Sequence, residues 1–469
     1  LDDTPLSSVI GGYVNKVNSD NNGNIWVSGS FRGLFRISQE KEPWLEYPMP
    51  SLASLISSEP ELNSLCSDDG GNLWFGETML GLGIQTTDGR VHRWKDIPAL
   101  SGYERLKDVV YMTSVPSASG EVWVAPRYGA QIYRLQCRGG AVSVLGQLDC
   151  KASHRGNILY FKEDAGRNLW IATDRGVVIR TPSGRLQELK NTPQDVNSIA
   201  FTPDGKAWLA SDGNGLKRVS YRSTNGKVVI EKLENIDSDQ SHLPTPNMAG
   251  VCYDKRHGKL WAISTEGILV AYDLKTQQYD SYTRYFESYI RSAVQDILQD
   301  KRGCLWIVTY NRLLKFNPDN DKVNVYSSED GLNVLAFLKH ACSLSSSAGN
   351  ELYFGGKGGA VCINADALLY ANRQSFLPIV SDVKVGGTSL WMGTFDGAYS
   401  LDVQNRRISL DADAQNIEID FTTCNYVNPS KIIFAYKLEG VDDDWNYTTT
   451  GKMYAYYNSL SKGTHRLLV

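Results

Sequence analysis

The sequence of 469 residues lacks several features that mark common functional classes. It contains no run of about 18 apolar residues, so no segment of it is expected to span a bilayer as a helix. The six histidines are scattered, without the HxH or HExxH spacing of metal sites, and no G-x-S-x-G turn or phosphate-binding loop occurs. A net charge of −4 gives no electrostatic reason to expect a nucleic-acid partner. We therefore expect no metal, no cofactor and no bound nucleic acid.

Neither cysteine pairs nor a leader segment indicate the compartment. The eight cysteines show no CxxC pair and no Cys/His ligand spacing, and most lie in apolar runs such as GCLWIV, where a free buried thiol is the usual role. Cys137 and Cys150 flank a predicted hairpin, and two states are open for them: free core thiols, or a disulfide in an oxidising compartment. The first residues, LDDTPLSS, show no basic and apolar export signal, so any such signal is expected outside this sequence.

Glycine and the larger aromatic residues are abundant instead. The 42 Gly, 25 Tyr and 11 Trp, without any long helical heptad pattern, indicate a turn-rich β protein. A short phrase recurs along the chain, in which an aromatic residue is followed six or seven positions later by Gly. Its aromatic positions are Trp26, Trp74, Trp123, Trp170, Trp208, Trp261, Trp306 and Tyr353. They are about 47 residues apart on average, and the unit at Trp306 has Arg312 in the neighbourhood of the missing Gly.

Each unit predicts one blade of a β-propeller, and hence an all-β fold. An apolar strand and a polar, Gly-type turn precede the aromatic, as in LNSLCSDDGGN, and two further short strands follow the Gly. Four strands with a period in this range are typical of propeller blades, which bury their faces by stacking around an axis. The aromatic is expected to pack against the next blade, and the Gly to form a turn with positive φ. The units cover about residues 10 to 376 and are compatible with seven or eight blades.

From residue 377 the repeat gives way to a different pattern. The segment IVSDVKVGG predicts a linking strand, and alternation such as IEIDF, with turns at NPSK and SLSKG, predicts a small antiparallel β-sandwich. The acidic run Asp442, Asp443 and Asp444 admits a cation site. Without ligands spaced around a glycine turn, a solvated loop is the more common role of such a run.

Two sets of residues resemble a known family. The blade phrase NLWIATDRGV resembles the two-component regulator propeller repeat, and the tail, with YKLEGVDDDWNYTTT and AYYNSLSKGTHRLLV, resembles the Y_Y_Y domain. Propeller, linking strand and Y_Y_Y domain in this order are similar to the periplasmic sensor region of hybrid two-component systems. The resemblance implies that residues 1–376 are the propeller and that residues 377–469 are a linker strand plus a Y_Y_Y β-sandwich truncated in its last strand.

The family further implies a sensor of glycan-degrading bacteria. Its usual arrangement is two seven-bladed propellers and a Y_Y_Y domain, followed by a membrane helix, a histidine kinase and a response regulator that binds DNA. The resemblance therefore implies a partial, periplasmic sensor region that binds an oligosaccharide, forms a homodimer through its C-terminal domain and is not itself an enzyme. The membrane anchor and the kinase are expected elsewhere in the full-length protein. If seven blades close the ring, the first unit is a remnant of a preceding propeller.

Ligand is expected on one rim of the propeller. If the strand before the aromatic is innermost, the loops between second and third strands share a face with the loops that link blades. Polar, cationic and aromatic side chains there suit sugar hydroxyls and ring faces, and arginine also suits a carboxylate or sulfate. The candidate ligand-binding residues are Arg32, Tyr103, Arg105, Arg127, Tyr128, His154, Arg155, Asp174, Arg175, Asp212, Asn214, Tyr285, Arg291, Tyr310, Arg312 and Lys357. Thr173 and Gly176, beside two of these candidates, are expected to be scaffold.

Two other functions stay open. Propellers with a similar Trp and Gly phrase host lyases and glycosidases, which need a positioned acid and base, and paired carboxylates on the rim are compatible with such chemistry. The other alternative is a propeller that binds a protein and no small molecule. Conversion of glycans into products would identify the enzyme, and capture of a protein without any glycan binding would identify the interaction module.

Overall fold

β-Strands joined by tight turns make up most of the computed structural model of the chain. The structure describes residues 13–19, 25–29, 33–37, 44–47, 61–114, 120–127, 129–150, 156–224, 227–236, 243, 245–290, 292–330, 332, 334–345, 350–366, 368, 378–391, 399–402, 405–423, 432, 434–448 and 453–469. The chain divides into two units, residues 1–328 with 332–371, and residues 372–469 with 329–331. Helix within the described ranges is limited to short 3-10 segments at Trp94–Asp96, Pro98–Leu100, Glu104–Lys107, Thr283–Tyr285 and Ser328–Asp330. None of them has the length and apolar character needed to cross a membrane.

The first repeat unit forms a sheet of its own. Its strands β1 (Val14–Ser19), β2 (Ile25–Gly29) and β3 (Gly33–Ile37) pair antiparallel, and no fourth strand joins them within the described ranges. The next strand in the chain, β4 (Trp44–Tyr47), pairs elsewhere. Trp26, the aromatic of this unit, is only half-buried.

Four-stranded antiparallel sheets form the first three blades of the propeller. Blade 1 consists of β5 (Leu62–Ser67), β6 (Leu73–Glu77), β7 (Gly81–Gln85) and β8 (Val91–Arg93). Blade 2 consists of β9 (Val109–Ser114), β10 (Glu121–Pro126), β11 (Gln131–Arg138) and β12 (Ala141–Asp149). Blade 3 consists of β13 (Ile158–Glu163), β14 (Leu169–Thr173), β15 (Gly176–Arg180) and β16 (Leu186–Leu189).

The next three blades have the same order of strands. Blade 4 consists of β17 (Val196–Thr202), β18 (Lys206–Ser211), β19 (Gly215–Thr224) and β20 (Lys227–Ile236). Blade 5 consists of β21 (Met248–Asp254), β22 (Lys259–Ser264), β23 (Leu269–Asp273) and β24 (Tyr279–Ser281). Blade 6 consists of β25 (Val294–Gln299), β26 (Leu305–Thr309), β27 (Leu313–Asn317) and β28 (Lys322–Tyr326).

Blade 7 is completed by a strand from the start of the chain, and this closes the ring. Its first three strands are β29 (Ala336–Leu344), β30 (Glu351–Lys357) and β31 (Gly359–Asn364), and β4 pairs antiparallel with β31 as the outermost strand. On its other face, Tyr353 of β30 shares a core cluster with Leu62 and Phe75 of blade 1. Within the described ranges the ring therefore has seven blades, and the described strands of the unit at Trp26 form none of them.

The repeated aromatic packs each blade onto the next, as the sequence predicts. The fully buried members are Trp74, Trp170, Trp208, Trp261 and Trp306. Trp74 of blade 1, for example, lies in one core cluster with Val109 and Val122 of blade 2. Because each blade covers its neighbour in this way, the apolar faces of all seven sheets leave water, and that burial is the main term that stabilises the ring.

A buried acceptor fixes the indole of the repeated tryptophan. In blades 1, 3 and 6 the residue six positions earlier is an aspartate whose Oδ2 accepts the indole N–H, at 2.7 Å for Asp68 and at 3.1 Å for both Asp164 and Asp300. In blade 4, Thr202 Oγ1 takes this role for Trp208 at 3.2 Å. The polar turn before the aromatic thus satisfies a buried donor that would otherwise cost free energy.

The glycine after the aromatic is needed by the turn that follows. Gly81 has φ of 76°, and a Cβ there would lie 2.4 Å from the carbonyl oxygen of Leu106. In the unit at Trp170 the turn is held by Thr173 Oγ1, which donates to the Gly176 carbonyl at 2.9 Å. Both residues of that unit are therefore scaffold, as the repeat predicts.

The C-terminal unit is a β-sandwich. Its strands are β32 (Ile379–Val385), β33 (Thr388–Ser389), β34 (Ser400–Asp402), β35 (Arg407–Ser409), β36 (Gln415–Thr422), β37 (Ala435–Glu439), β38 (Asn446–Tyr447), β39 (Tyr454–Ser459) and β40 (Arg466–Leu468). One sheet has the order β33-β32-β36-β39 and another the order β38-β37-β40, while β34 and β35 form a separate pair. Ile417 and Phe421 from the first sheet and Leu438 from the second lie in one core cluster.

Asp442 of the acidic run stabilises a turn of this unit. Asp442 Oδ2 accepts the backbone N–H of Leu438 at 2.7 Å and the hydroxyl of Tyr457 at 2.8 Å. Across the described ranges, no three His, Cys, Asp or Glu side chains are grouped so that they would hold a metal ion. Asp442 therefore connects the turn after β37 to β39.

Cys137 and Cys150 do not form the disulfide that the sequence left open. Both thiols are free and buried. Cys137 pairs with Val142 beside the turn of the β11–β12 hairpin, whereas the backbone N–H of Cys150 donates to Ala130 at its open end. The two residues thus lie at opposite ends of the hairpin, too far apart for a sulfur–sulfur bond.

Candidate functional site

Two sets of loops meet at one end of the blades. In six blades, a backbone N–H from the turn between the second and third strands donates to a carbonyl beside the start of the innermost strand. The donor and acceptor residues are Thr78 and Glu61, Arg127 and Asp108, Asp174 and Asn157, Asp212 and Asp195, Thr265 and Asn247, and Tyr310 and Ala293. These bonds of 2.9 to 3.1 Å fix both loops of each blade, and we call the loops together the rim.

Two of the predicted ligand-binding residues hold the rim in place. Asp174 Oδ1 accepts the backbone N–H of Asn157 at 2.9 Å, and its Oδ2 accepts the Asn157 side-chain amide at 3.0 Å. Arg127 Nε donates to Asp108 Oδ1 at 2.9 Å. The carboxylate and the guanidinium therefore have protein partners within their own blades.

Other predicted residues present their side chains at the rim surface. The exposed ones are Arg105, Arg175, Asp212, Asn214, Tyr310 and Lys357, and Arg312 is half-buried. Tyr310 is 44% exposed. Lys357 Nζ lies 4.0 Å from Glu61 Oε2. The set combines cations, a carboxylate, an amide and an aromatic ring, which are the groups that sugar hydroxyls and ring faces require.

The side chains of two further predicted residues are engaged by protein partners. Tyr103 packs edge-on against Tyr133, with ring centroids 5.4 Å apart. The Tyr285 hydroxyl donates to Asp321 Oδ2 at 2.7 Å, in the turn between the third and fourth strands of blade 6. That turn lies at the opposite end of a blade from the turn between the second and third strands.

Five further predicted residues lie outside the described ranges. They are Arg32, Tyr128, His154, Arg155 and Arg291. Their assignment to the rim remains a prediction from the sequence.

A cluster that the sequence does not indicate lies on the axis of the propeller. In β29, Phe337 is opposite Gly356 and Cys342 is opposite Phe354, so residues 338–341 bulge out against the single residue Gly355. We call residues 338–341 the axial bulge. His340 in this bulge has φ of 63°, a left-handed conformation that is uncommon outside glycine.

The axial bulge reaches across the axis to blades on the other side. The His340 ring lies 5.2 Å from the ring of Tyr111 in blade 2 and 5.5 Å from that of Tyr160 in blade 3. From blade 6, Asp296 Oδ2 lies 3.9 Å from His340 Nδ1 and accepts the thiol of Cys342 at 3.3 Å. Four blades thus contribute to one group of aromatic and ionisable side chains.

Burial sets the ionisation of this cluster. It lowers the pKa of His340 to about 3, with a smaller effect from Lys339, so the imidazole is neutral near pH 7. Burial also raises the pKa of Asp296, Cys342 and Tyr111. The cluster therefore holds a neutral imidazole, thiol and phenol beside the ionisable pair Asp296 and Lys339.

The sequence carries only a faint signal for the axial bulge. The segment FLKHAC places a cation and an imidazole inside an otherwise apolar strand. With nine residues, β29 is also the longest innermost strand of the seven blades. Neither feature changes the spacing between the repeated aromatic residues. An alignment of the units on these residues therefore does not reveal the axial bulge.

Comparisons with known proteins agree with this architecture. The two component regulator propeller family matches residues 288–311, and the Y_Y_Y domain family matches residues 425–469. The match to the regulator propeller lies in blade 6 and the loop before it, and the match to the Y_Y_Y domain lies at the C-terminal end of the sequence. The family resemblance drawn from the sequence is thereby confirmed.

Similar proteins include the extracellular domain of a putative hybrid two component system and a histidine kinase. The extracellular domain of the putative hybrid two component system BT3049 from B. thetaiotaomicron has a TM-score of 0.71 and 17% identity, and the alignment covers 97% of this chain and 58% of that one. Histidine kinase P4 from Formosa agariphila is 26% identical over 159 residues, which are 34% of this chain and 11% of the kinase. The chain thus spans less than two thirds of the length of either protein.

An ion-pair network connects two blades of the propeller at the end away from the rim. His257 Nδ1 lies 2.6 Å from the buried Asp254 Oδ2 in blade 5, and His257 Nε2 lies 2.8 Å from Asp319 Oδ1 in blade 6. Burial alone would lower the pKa of His257, but the hydrogen bonds to Asp319 and Asp254 outweigh it and raise the pKa. The histidine is therefore part of the scaffold.

This network is expected to stabilise the propeller most in mildly acidic solution. The pKa of His257 is higher in the folded state than in the unfolded state. The stabilisation that His257 provides is therefore complete below the pKa of the unfolded state, about 6.5, and is lost as the pH rises through the pKa of the folded state. The melting temperature of the wild type should therefore exceed that of His257→Gln by more at about pH 6 than at about pH 9. Arg222→Gln, which removes an exposed arginine, is the control without such a trend. Equal differences at the two pH values would contradict the role of His257.

Proposed function

We propose that the chain is the extracytoplasmic sensor region of a hybrid two-component regulator, which binds an oligosaccharide and signals to a cytoplasmic histidine kinase. The observation that carries the proposal is the rim, where exposed cationic, acidic, amide and phenol groups stand on loops fixed by backbone hydrogen bonds. Such a set supplies donors and acceptors for hydroxyls and a face for a sugar ring. The similarity to the BT3049 extracellular domain and to histidine kinase P4 supports the sensor role.

The other properties of the sensor follow by analogy with that architecture. Within residues 1–376, we assign the seven blades from β4 to β31 to the propeller that receives ligand, and we assign residues 377–469 to the linker strand and the Y_Y_Y sandwich. The sensor region lies in the periplasm, forms a homodimer through its C-terminal domain and is membrane-anchored in the full-length protein. Ligand then shifts a balance between dimer arrangements, and the kinase responds. This region itself performs no catalysis.

A panel of oligosaccharides tests the proposal. At least one member is expected to bind in titration calorimetry and to raise the melting temperature, because a ligand that binds only the folded state stabilises it. If the panel is converted into products, the chain is an enzyme. If no member binds and a protein partner is captured instead, the sensor proposal is wrong.

Arg175 is the rim residue with the clearest expected effect on binding. Its side chain is exposed, so Arg175→Ala should leave the melting temperature of the free protein unchanged. The affinity for the bound oligosaccharide should fall about tenfold to hundredfold, which corresponds to the loss of one hydrogen bond to a charged group, about 1.5 to 3 kcal/mol. Lys275→Ala, an exposed cation between β23 and β24 at the other end of the blades, is the matched control. Unchanged affinity in Arg175→Ala would remove this residue from the site.

A further inference from the structure

Arginine and lysine side chains stack on the repeated tryptophans of four blades. Within the described ranges five such cations lie 5.4 to 6.0 Å from the centroid of an indole ring. Four of the five also form an ion pair with a carboxylate of their own blade, namely Arg134 with Glu121, Arg218 with Glu234, Lys259 with Asp280, and Lys315 with Asp300. The fifth, Arg180 at the end of β15, has no carboxylate within ion-pair distance among the described residues.

Two of these cations share the indole of Trp123 in blade 2. Arg134 of the same blade and Arg180 of blade 3 have their guanidinium carbons 5.6 and 5.7 Å from the centroid of its ring. The indole N–H donates to Glu163 Oε1 of blade 3 at 2.9 Å, and Glu163 Oε2 lies 3.1 Å from Arg167 Nε. The indole thus brings arginines of two neighbouring blades together at one place.

The charges around this indole are unequal in number. Its carboxylates are Glu121 and Glu163, and each is already paired with an arginine. Glu188 lies on the same face of blade 3, but it is opposite Val178, and the structure, which describes both side chains, shows no ion pair between Glu188 and Arg180. The positive charge of Arg180 therefore has no paired counter-charge in the described part of the chain.

Open space adjoins the two arginines. Gly146 of the outermost strand β12 is opposite Arg134, and a Cβ at Gly146 would meet no atom within 4 Å. The side chain of Arg134 is 33% exposed, and Arg180 is half-buried. A guanidinium stacked on an aromatic ring keeps its N–H groups at the edge of its plane, where they can donate to a pair of oxygen atoms. The outer part of the contact between blades 2 and 3 therefore offers both donors and room.

Burial of Arg180 is compensated only in part. Burial is the main cause that lowers the pKa of Arg180, the positive charge of Arg134 adds to it, and Glu163 opposes both. A half-buried cation beside a second cation gains from an anion that replaces the water it has lost.

We propose that Arg180 and Arg134 form an oxyanion site on the wall of the propeller between blades 2 and 3. The ligand is a sulfate, phosphate or carboxylate group, to which Arg180 donates two N–H groups. Arg134, whose Nε and Nη2 donate to Glu121, adds its charge. The site lies away from the rim, because β15 begins at the rim turn with Gly176 and ends at Arg180. It is independent of the proposed function.

Thermal melting and titration calorimetry of the whole chain test the oxyanion site. The probes are sodium sulfate and a sulfated chondroitin disaccharide, each compared with sodium chloride at the same ionic strength. Both probes should bind the wild type and raise its melting temperature. Sulfate also stabilises proteins in general by its exclusion from their surface, so the difference between variants is the measure. Equal affinities would assign the site to the free ion, and tighter binding of the disaccharide would assign it to a substituent on a sugar.

Arg180→Met is the variant that removes the donors. It keeps an aliphatic stem on Trp123, so the affinity for sulfate should fall at least about tenfold while the fold is retained. Arg185→Met, which changes an exposed arginine in the turn after β15, is the matched control and should bind like the wild type. If Arg180→Met does not fold, Arg180→Lys keeps the charge without the planar pair of donors and should also weaken binding.

The melting temperature of the free variant separates binding from a structural role. Because Arg180 carries an unpaired, half-buried charge, Arg180→Met should melt no lower than the wild type in sodium chloride. A lower melting temperature with an unchanged response to sulfate would mean that Arg180 only supports Trp123, and it would overturn the site. The absence of any response of the wild type to either probe would overturn it as well.

A rim variant separates this inference from the proposed function. Arg175→Ala should leave the affinity for sulfate unchanged, because Arg175 lies at the opposite end of β15. If Arg175→Ala abolishes sulfate binding and Arg180→Met does not, the anion binds at the rim and the oxyanion site is wrong. Oligosaccharide binding that survives Arg180→Met leaves the sensor proposal standing whatever the sulfate result is.

Discussion

Replacement of Asp68 by Ala is expected to lower the free energy of unfolding by about 3 kcal/mol. This buried carboxylate accepts the indole N–H of Trp74 at 2.7 Å, the backbone N–H of Asn72 at 2.9 Å and the Asn72 side-chain amide at 3.0 Å. All three donors are buried, so none of them reaches water when the carboxylate is removed. Each unsatisfied donor costs about 1 kcal/mol or more, and the denaturant midpoint followed by tryptophan fluorescence measures the sum.

Asp69 provides a matched control in the same turn. Its side chain is exposed, so Asp69→Ala should change the midpoint little. Asp68→Asn keeps one acceptor oxygen and should lose less stability than Asp68→Ala. If the Asp68 and Asp69 alanine variants unfold at the same denaturant concentration, the bond between carboxylate and indole does not hold the blade.

The blade architecture could be predicted because its information is local and repeated. An aromatic that opens the second strand and a Gly that allows the next turn recur in nearly every unit, so chance matches average out. The aspartate six residues before the aromatic is a third element of the same phrase. The sequence did not reveal it because blades 2, 4 and 5 depart from the pattern. The Trp123 indole of blade 2 donates to Glu163 of blade 3, Thr202 takes the place of the aspartate in blade 4, and Asp254 stands seven residues before Trp261 in blade 5.

The number of blades was left open because it depends on a contact between distant parts of the chain. The unit at Trp26 repeats the phrase as clearly as the others, and β4 follows it where a fourth strand is due. In the structure β4 pairs with β31, more than 300 residues away, and no local pattern distinguishes this partner from β3. The axial bulge could not be predicted for the same reason, because its contacts with Tyr111 and Tyr160 join parts of the chain that are far apart in sequence.

The sequence predicted which loops form the rim, but it did not predict which rim side chains have protein partners. Topology alone indicates which loops share an end of the blades. It does not indicate which side chains are already engaged, as Asp174 is by Asn157 and Tyr285 by Asp321. Arg175, beside Asp174, remains the exposed member of that pair. Side-chain partners from neighbouring loops are thus what separates scaffold from candidate ligand contacts.

Removal of β4 is expected to open the ring. A variant of residues 49–469 lacks this strand, while a variant of residues 44–469 keeps it and loses only the separate sheet of β1 to β3. Without β4, the four residue pairs with β31 are lost and blade 7 presents an unpaired edge. At about 1 kcal/mol for each backbone pair, the free energy of unfolding of the shorter variant should be lower by about 3 to 4 kcal/mol. Its denaturant midpoint should fall accordingly.

The pair of truncations also tests which repeat unit belongs to the ring. The longer variant should unfold like the whole chain, because its seven blades are intact. The shorter one should in addition associate in a concentration-dependent way through the free edge of β31, which light scattering detects. Equal stability of the two variants would mean that β4 does not close the propeller. A loss of stability already present in the longer variant would mean instead that the unit at Trp26 supports the ring, since β1 to β3 are the only described strands that this variant lacks.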